Sequence, residues 1–302
     1  MTPNFFIIGA AKSGTSSLAD YLGQHPEVFM PSLKEPNYFA FEGTLPIPRG
    51  PAPARVLKEL LYNWSAVDDE EYRQLFIGSS DKRAIGEASV RYLYFDRAPH
   101  RIKRQVPEAR LVAVLRDPVG RLHSHYNMNR QKQLEPLGLM EALEAEPQRV
   151  AEGWGWDWHY RAVSTYAPQL QRYYDLFDRE SIAVYLYDDF AAQPVETIRS
   201  ICRHIRVSDD FVPNMAQRGK VAQQLRSEFL DRWLNWPGPV KDRLSGMGLG
   251  RVVRAVATRA TKLNYRPAPK LDSGLRRELA HQFKHDIEEL SDLLGREINW
   301  YT

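Results

Sequence analysis

A lysine, two glycines and several hydroxyl side chains lie together near the start of the chain, in the segment G-A-A-K-S-G-T-S-S from Gly9 to Ser17. The apolar run from Asn4 to Gly9 precedes them and helix-compatible residues follow, which predicts a strand, a tight turn and a helix. The N-terminus of a helix presents unpaired N–H groups and the positive end of its dipole, and glycines let the backbone approach an anion closely. The segment therefore predicts a phosphate-binding loop.

This loop differs from the loop of P-loop kinases, whose pattern is G-x-x-x-x-G-K-[ST]. Thr15 stands directly after Gly14, where that pattern requires a lysine, and the lysine lies earlier in the turn, as Lys12. The displacement moves the ammonium group toward the end of the ligand that is transferred. A small-molecule kinase that uses ATP and magnesium is the alternative interpretation of this segment.

A second run of candidate ligand-binding residues, R-D-P-V-G-R-L-H-S-H-Y, extends from Arg116 to Tyr126 directly after the clearest strand pattern in the chain. Pro118 suits the first turn of the helix that continues from there. Arginine presents a planar fork that matches phosphate oxygens, and Ser124 on the same helix can donate from the side. Asp117 could instead cap the helix and pair with Arg116, so this motif alone leaves two interpretations open.

Taken together, the two motifs resemble the sulfotransferases that use 3′-phosphoadenosine 5′-phosphosulfate (PAPS) as donor. F-I-I-G-A-A-K-S-G-T-S-S-L matches the K-x-G-T-[ST]-[ST] loop of that family. In the family, the arginine of R-[DN]-P and a serine eight residues later bind the 3′-phosphate of the nucleotide, a spacing that Arg116 and Ser124 satisfy. Two anion sites on one parallel sheet suit a ligand with phosphates at the 5′ and 3′ positions, and ATP has no 3′-phosphate.

Two further segments resemble the heparan-sulfate and related carbohydrate sulfotransferases. K-E-P-N-Y-F, from Lys34 to Phe39, resembles K-E-P-x-[FY]-F, and G-E-A-S-V-R-Y-L, from Gly86 to Leu93, resembles G-E-K-[ST]-P-x-Y. The resemblance implies that Glu87 is the general base that takes the proton of the acceptor, and that Lys34 orients the acceptor. It also points to a carbohydrate or another natural product as the acceptor.

The interpretation of Glu87 has alternatives. The segment departs from the family pattern, which has a lysine and a proline at the positions of Ala88 and Val90. A non-catalytic Glu87 would pair at the end of the strand with Arg91 or Lys12. Two histidines beside Ser124 are the other candidate bases: His123 and His125.

The resemblance implies an in-line displacement at sulfur, in which Lys12 stabilises the charge on the bridging oxygen as adenosine 3′,5′-bisphosphate leaves. Arg218 and Lys220, in a basic segment near the C-terminus, are expected to reach the 3′-phosphate. No metal is required by this chemistry. The residues expected to bind the 5′-phosphosulfate are Lys12, Ser13, Gly14, Thr15, Ser16 and Ser17.

Composition limits the other classes of function. The chain has 302 residues, 43% hydrophobic and 26% charged, and its net charge of +3 is too small to predict nucleic-acid binding. Cys202 is the only cysteine, which excludes a disulfide within the chain, and its helical surroundings predict a core position. The first ten residues lack the basic and long apolar parts of a signal peptide or a transmembrane helix, so we expect no membrane insertion and a cytoplasmic protein.

Strand-like and helix-like segments alternate, which predicts an α/β fold: a P-loop-like parallel sheet flanked by helices on both faces, with a helical C-terminal extension. We expect one domain over residues 1–302, with a nucleotide-binding core at 1–206 and a nucleotide-covering loop and helical region at 207–302. Residues 135–158 are expected to be an insertion at the mouth of the fold. It contains three tryptophans that form either an acceptor platform or part of the core: Trp154, Trp156 and Trp158.

The spacing of apolar residues also predicts individual elements. A strand is expected over Leu111–Leu115 and another over Arg83–Glu87. One helix is predicted over Tyr160–Phe177, and a single amphipathic helix is predicted to close the chain over Leu271–Gly295.

Overall fold

The fold is taken from a computed structural model, which describes residues 2–216, 223–225, 265–267 and 271–301. Five strands form its central sheet: β1 (Phe5–Gly9), β2 (Val28–Phe29), β3 (Ala84–Ala88), β4 (Arg110–Leu115) and β5 (Ile182–Leu186). They lie in the order β2-β3-β1-β4-β5, and every pair of neighbours is parallel. The strand order reverses at β1, which is the place where open α/β sheets bind ligands beyond the carboxyl ends of their strands.

Helices cover both faces of this sheet. Within residues 2–216 they are α1 (Thr15–Leu22), α2 (Tyr38–Phe41), α3 (Ala54–Leu61), α4 (Asp69–Gln74), α5 (Arg91–Tyr94), α6 (Arg97–Gln105), α7 (Pro118–Gln131), α8 (Leu139–Ala151), α9 (Ala167–Tyr174), α10 (Tyr187–Ala192) and α11 (Pro194–His204). Near the C-terminus lie α12 (Ser273–Gln282) and α13 (Lys284–Leu294). Two short strands, β6 (Gln223–Leu225) and β7 (Tyr265–Pro267), pair antiparallel with each other.

Most of the buried apolar side chains in the described residues form two clusters, one on each face of the sheet. Alternate residues of β1 enter different clusters: Phe6 and Ile8 pack on one face, and Phe5 and Ile7 pack on the other. The first cluster includes side chains of α12 and α13, and the second lies under α1 and α11 and contains the buried Cys202. The predicted α/β fold, its C-terminal helical extension and the core position of the cysteine are confirmed.

The apolar spacing predicts no helix within residues 135–158, but α8 occupies most of the segment. Pro147 lies inside this helix and cannot donate to the carbonyl of Leu143, which instead accepts from the Arg161 guanidinium. A buried ion pair also anchors the helix, with Arg149 Nη1 and Glu135 Oε2 2.7 Å apart. These partners are distant in sequence, so local composition does not reveal the helix.

Two predicted helices are shorter than expected. The helix predicted over Tyr160–Phe177 begins only at Ala167, where the carboxylate of Asp286 accepts from the backbone N–H groups of Tyr166 and Ala167, both at 2.8 Å. The predicted closing helix is interrupted at Phe283, whose ring is buried in the first cluster. The break at Phe283 separates α12 from α13, which carries Asp286.

Candidate active site

The predicted phosphate-binding loop lies at the carboxyl end of β1, in the centre of the sheet. Ala10 N donates to Val114 O at 2.8 Å, so the loop begins hydrogen-bonded to β4. Lys12 (φ 69°) and Gly14 (φ 80°) both have left-handed backbone conformations, which are uncommon for a lysine. Gly14 immediately precedes α1 and has no side chain to cap it. The amides at the start of α1 are therefore available to an anion: Thr15, Ser16 and Ser17.

The Lys12 side chain crosses from this loop to α7, where its Nζ lies 3.6 Å from Met128 Sδ. Burial, together with the positive charges of Lys132 and Arg121, lowers the pKa of Lys12 to about 8. The negative charge of Glu35 raises the pKa of Lys12. The ammonium is still mostly protonated at neutral pH, and it is poorly hydrated and surrounded mainly by other cations, so it is disposed to bind an anion.

Arg116 directly follows β4, and its Nη1 donates to Lys12 O at 3.3 Å. Its guanidinium lies against the first turn of α7, where an added Cβ at Gly120 would be only 3.2 Å from Arg116 Nε. Glycine therefore permits this close approach. Ser124 lies one helical turn beyond Gly120, on the same face of α7. The two residues predicted to bind a 3′-phosphate are thus brought to one side of the helix.

Asp117 caps α7 but does not pair with Arg116. Its Oδ1 accepts from Val119 N at 3.1 Å, and its Oδ2 accepts from Gly120 N at 2.9 Å. The same carboxylate forms an ion pair with Arg276 of α12, at 2.9 Å. Of the two roles that the motif left open for this aspartate, the structure shows the cap, and Arg116 is left available to a ligand.

Tyr187 links the two predicted anion sites, and the sequence analysis missed it. Its ring lies 3.1 Å from the position that a Cβ on Gly14 would occupy. The guanidinium of Arg116 lies 4.9 Å from the centre of the same ring. The position of Tyr187 directly after β5 could have indicated this role, because the carboxyl ends of parallel strands meet at one edge of the sheet.

Glu87, the predicted base, is completely buried. Its Oε2 accepts from the hydroxyls of Tyr72 at 2.7 Å and Tyr92 at 2.8 Å, and its Oε1 accepts from Ser89 Oγ. Burial raises the pKa of Glu87 to about 7, although the three hydroxyl donors act to lower it. Arg91 does not pair with Glu87; it lies 3.5 Å from Asp157 instead.

The K-E-P-N-Y-F segment lies against the phosphate-binding loop. Lys34 Nζ donates to Ser16 Oγ in the first turn of α1, and it lies 3.9 Å from Glu35 Oε1. Glu35 (φ 57°) and Asn37 (φ 54°) both have left-handed backbones. This segment therefore brings a lysine and a carboxylate beside the residues predicted to bind the 5′-phosphosulfate.

The comparisons with known proteins agree on one family. The model of the sulfotransferase family matches residues 3–210. The chain belongs to this sulfotransferase family. A crystal structure of a sulfotransferase from Alicyclobacillus acidocaldarius is similar over 100% of both chains, with 31% sequence identity and a TM-score of 0.77.

Two curated sulfotransferases are similar over part of their length. A membrane-associated sulfotransferase of Dictyostelium discoideum is 33% identical over 129 residues, which cover 43% of this chain and 23% of that protein. Human carbohydrate sulfotransferase 15 is 23% identical over 246 residues, which cover 68% of this chain and 44% of that protein. The chain therefore spans less than half the length of each of these relatives.

The two histidines of α7 are poor candidates for the base. His125 is fully buried, its Nδ1 lies 3.2 Å from Arg121 Nη1, and burial keeps its pKa well below the usual value. His123 is half-buried and bonded to Asn127 at 3.0 Å, and burial and the nearby Arg116 lower its pKa. Both side chains are held by residues of α7 itself.

The tryptophans of the 135–158 segment contribute mainly to the core. Trp158 is fully buried and its Nε1 donates to Leu134 O at 2.9 Å. Trp156 is buried with its ring 4.6 Å from the guanidinium of Arg91. Trp154 is half-buried against Arg149. Packing in the core is therefore the role that the structure shows for Trp156 and Trp158.

Arg218 and Lys220, expected to reach a 3′-phosphate, lie outside the described residues. Among residues 2–216 and the described C-terminal parts, no cluster of three histidine, cysteine or acidic side chains is arranged to hold a metal ion. In the same parts of the chain, no helix combines the length and the apolar character needed to cross a membrane.

Proposed function

We propose that the protein transfers a sulfuryl group from PAPS to a hydroxyl or amine of an acceptor and releases adenosine 3′,5′-bisphosphate. The observation that carries this proposal is the direct connection of two candidate anion sites at one edge of the sheet. Arg116 bonds to the carbonyl of Lys12, and Tyr187 contacts both sites. A donor with phosphates at its 5′ and 3′ positions can occupy both, and ATP can occupy only the first.

The residues of the loop suit the 5′ end of this donor. Ser13 Oγ is buried and has no hydrogen-bond partner in the described part of the chain, and the adjoining amides of α1 are uncapped. Lys12 would stabilise the negative charge that develops on the bridging oxygen. Arg116 and Ser124 would bind the 3′-phosphate. Contacts from Arg218 and Lys220 stay predictions.

For the acceptor, we propose a carbohydrate or another natural product. The support is the resemblance of the 34–39 and 86–93 segments to carbohydrate sulfotransferases, together with the similarity to human carbohydrate sulfotransferase 15. The role of Lys34 in orienting the acceptor stays a prediction; its bond to Ser16 shows that it also supports the loop. The assignment of Glu87 as the base likewise stays a prediction.

The kinase alternative is not favoured. Membership of the sulfotransferase family argues against it, and so does the absence of a lysine directly after Gly14. No feature of the described site calls for the γ-phosphate of ATP.

The test is a transfer assay with PAPS labelled on sulfur and a panel of desulfated chondroitin, heparosan and p-nitrophenyl glycosides. We expect release of adenosine 3′,5′-bisphosphate and transfer of label to a member of the panel. A parallel assay with ATP labelled on its γ-phosphate and magnesium should transfer nothing. Phosphoryl transfer without any release of the bisphosphate from PAPS would overturn the proposal.

A further inference from the structure

We propose that Arg276 of α12 is a positioning residue for the nucleotide: it pairs with Asp117 and so leaves the Arg116 guanidinium available to the 3′-phosphate. This role rests on the proposed use of PAPS as donor. Arg276 lies outside both of the motifs that predict the anion sites. The C-terminal helices would thereby take part in recognition of the donor.

Two arginines lie near one carboxylate at the first turn of α7. Arg276 Nη2 is 2.9 Å from Asp117 Oδ2. A Cβ added to Gly120 would lie 2.8 Å from the same Oδ2 and 3.2 Å from Arg116 Nε. The Asp117 carboxylate and the Arg116 guanidinium are therefore close to one point on α7, and a change of rotamer in the long Arg116 side chain can bring them together.

In the structure Asp117 pairs with Arg276, and Arg116 has other contacts. Arg116 Nη1 donates to Lys12 O at 3.3 Å, and the guanidinium lies 4.9 Å from the centre of the Tyr187 ring. Neither of these partners carries a negative charge. The positive charge of Arg116 is thus available to an anion, whereas that of Arg276 is paired.

An unpaired Asp117 would oppose the binding of a phosphate beside Arg116. Its carboxylate accepts from Val119 N at 3.1 Å and from Gly120 N at 2.9 Å, so it must remain at the start of α7. The same contacts occupy the amides of this helix terminus, and an anion here depends on Arg116 instead. A negative charge next to an anion site weakens binding unless a cation neutralises it, and Arg276 supplies that cation.

Other contacts hold α12 in place independently of this ion pair. Asp272 caps the helix, and its Oδ1 accepts from Gly274 N at 2.8 Å and from Leu275 N at 3.1 Å. Leu279, one turn after Arg276, is fully buried in the first apolar cluster. The Arg276 side chain is 37% exposed, so its replacement leaves no cavity in the core. We therefore expect α12 to stay docked when Arg276 is replaced.

The alternative role for Arg276 is only to dock the C-terminal helices on the rest of the protein. Arg296, which follows α13, offers a comparison for that role. Its Nη2 pairs with Asp189 of α10 at 2.7 Å, and both side chains are about half exposed. Loss of this pair removes a docking contact of the C-terminal region without changing the charge at Asp117.

The experiment compares Arg276→Gln with Arg296→Gln and with Arg277→Gln, an exposed neighbour on the same helix. Each variant loses one positive charge from the C-terminal region. Calorimetry measures the affinity for adenosine 3′,5′-bisphosphate and for adenosine 5′-monophosphate, which lacks the 3′-phosphate. We expect Arg276→Gln to bind the bisphosphate about 10-fold more weakly and the monophosphate within about 2-fold of wild type. Both controls should bind both nucleotides within about 2-fold of wild type.

Rescue by two further variants tests the route through Asp117. Arg276→Lys keeps the positive charge and should bind the bisphosphate within about 3-fold of wild type. Asp117→Asn keeps an oxygen for the helix cap and removes the negative charge, so Arg276→Gln should cause no further loss of affinity in this background. Additive losses in the double variant would overturn the proposed pairing.

Three other outcomes would also overturn the inference: unchanged binding in Arg276→Gln, equal weakening of both nucleotides in that variant, or an equal loss in Arg296→Gln. If Arg276→Gln is too unstable to assay, the double variant with Asp117→Asn leaves no unpaired carboxylate and must bind the bisphosphate as well as Asp117→Asn does. Weaker binding there would overturn the inference. Failure of the wild type to bind the bisphosphate would instead overturn the proposed function.

Discussion

The phosphate-binding loop and the segment at residues 135–166 meet in one small apolar cluster, through Ala11 on one side and Trp156 and Val163 on the other. The loop is shaped by its backbone, with left-handed conformations at Lys12 and Gly14. The segment is held by buried side-chain contacts, such as the pair of Arg149 with Glu135. Adjacent regions of the same site are thus stabilised in different ways.

The two regions differ in whether their polar groups are hydrogen-bonded within the protein or left for a ligand. In the loop, the amides at the start of α1 and the hydroxyl of Ser13 are left for a ligand. In the 135–166 segment, polar groups pair with other parts of the protein: Ser164 Oγ and Tyr160 O accept from Arg121 of α7, at 2.6 Å and 2.7 Å. Substitutions in the loop should therefore lower the transfer rate with little change in stability. Substitutions in the 135–166 segment should lower stability with little effect on catalysis.

Arg149→Ala tests the segment and should have the largest effect. It leaves the carboxylate of Glu135 buried without its partner, which typically costs about 3–5 kcal/mol of unfolding free energy. Chemical denaturation measures this loss, and calorimetry on the folded protein should show bisphosphate affinity close to wild type. The matched variant Arg149→Met with Glu135→Leu should recover most of the stability. A stable Arg149→Ala protein with impaired nucleotide binding would contradict the contrast between the two regions.

Lys12→Ala tests the loop. Removing a preorganised donor at the developing charge should lower the transfer rate by about 10²–10³-fold. The free energy of unfolding should change by less than about 1 kcal/mol, since this lysine is already destabilised by burial and by neighbouring cations. Lys12→Arg controls for the loss of positive charge. Full turnover by Lys12→Ala would show that the loop has no catalytic role.

The buried Glu87 makes the stability of the protein depend on pH. Its pKa is raised from 4.5 to about 7 on folding, so below pH 4.5 it is protonated in both states and its contribution is complete. As pH rises, the unfolded chain ionises first and about 3 kcal/mol of stability is lost by the time pH passes the folded pKa. Denaturation curves at about pH 5 and about pH 8 should show this loss in the wild type and not in Glu87→Gln. Equal pH dependence in the two proteins would contradict the raised pKa.

Tyr187 contacts both anion sites, and replacing it should have the smallest effect of these substitutions, confined to nucleotide binding. Tyr187→Ala removes the ring from Arg116 and should weaken binding of adenosine 3′,5′-bisphosphate by about 3–10-fold. Tyr187→Phe keeps the ring and should bind close to wild type. Equal weakening in both variants would mean that the hydroxyl, and not the ring, matters.

The parts of the site that local sequence determines were predictable. A strand, a glycine turn and a helix follow one another within a few residues, so the positions of Lys12 and Arg116 at the carboxyl ends of β1 and β4 could be predicted. The hydrogen bond from Tyr72 to the Glu87 carboxylate could not, because the two residues lie on different elements and are 15 positions apart in sequence. The helix α8 was missed for the same reason, since Arg161 and Glu135 compensate for Pro147.

The central claim is that this protein binds a nucleotide with both a 5′- and a 3′-phosphate. Calorimetric binding of adenosine 3′,5′-bisphosphate, compared with ATP plus magnesium, on the wild type and Arg116→Ala tests it most directly. We expect the wild type to prefer the bisphosphate and the variant to bind it about 10–100-fold more weakly, as for loss of a charge-assisted contact. Tighter binding of ATP, or an Arg116→Ala protein that binds the bisphosphate as well as the wild type does, would contradict the claim.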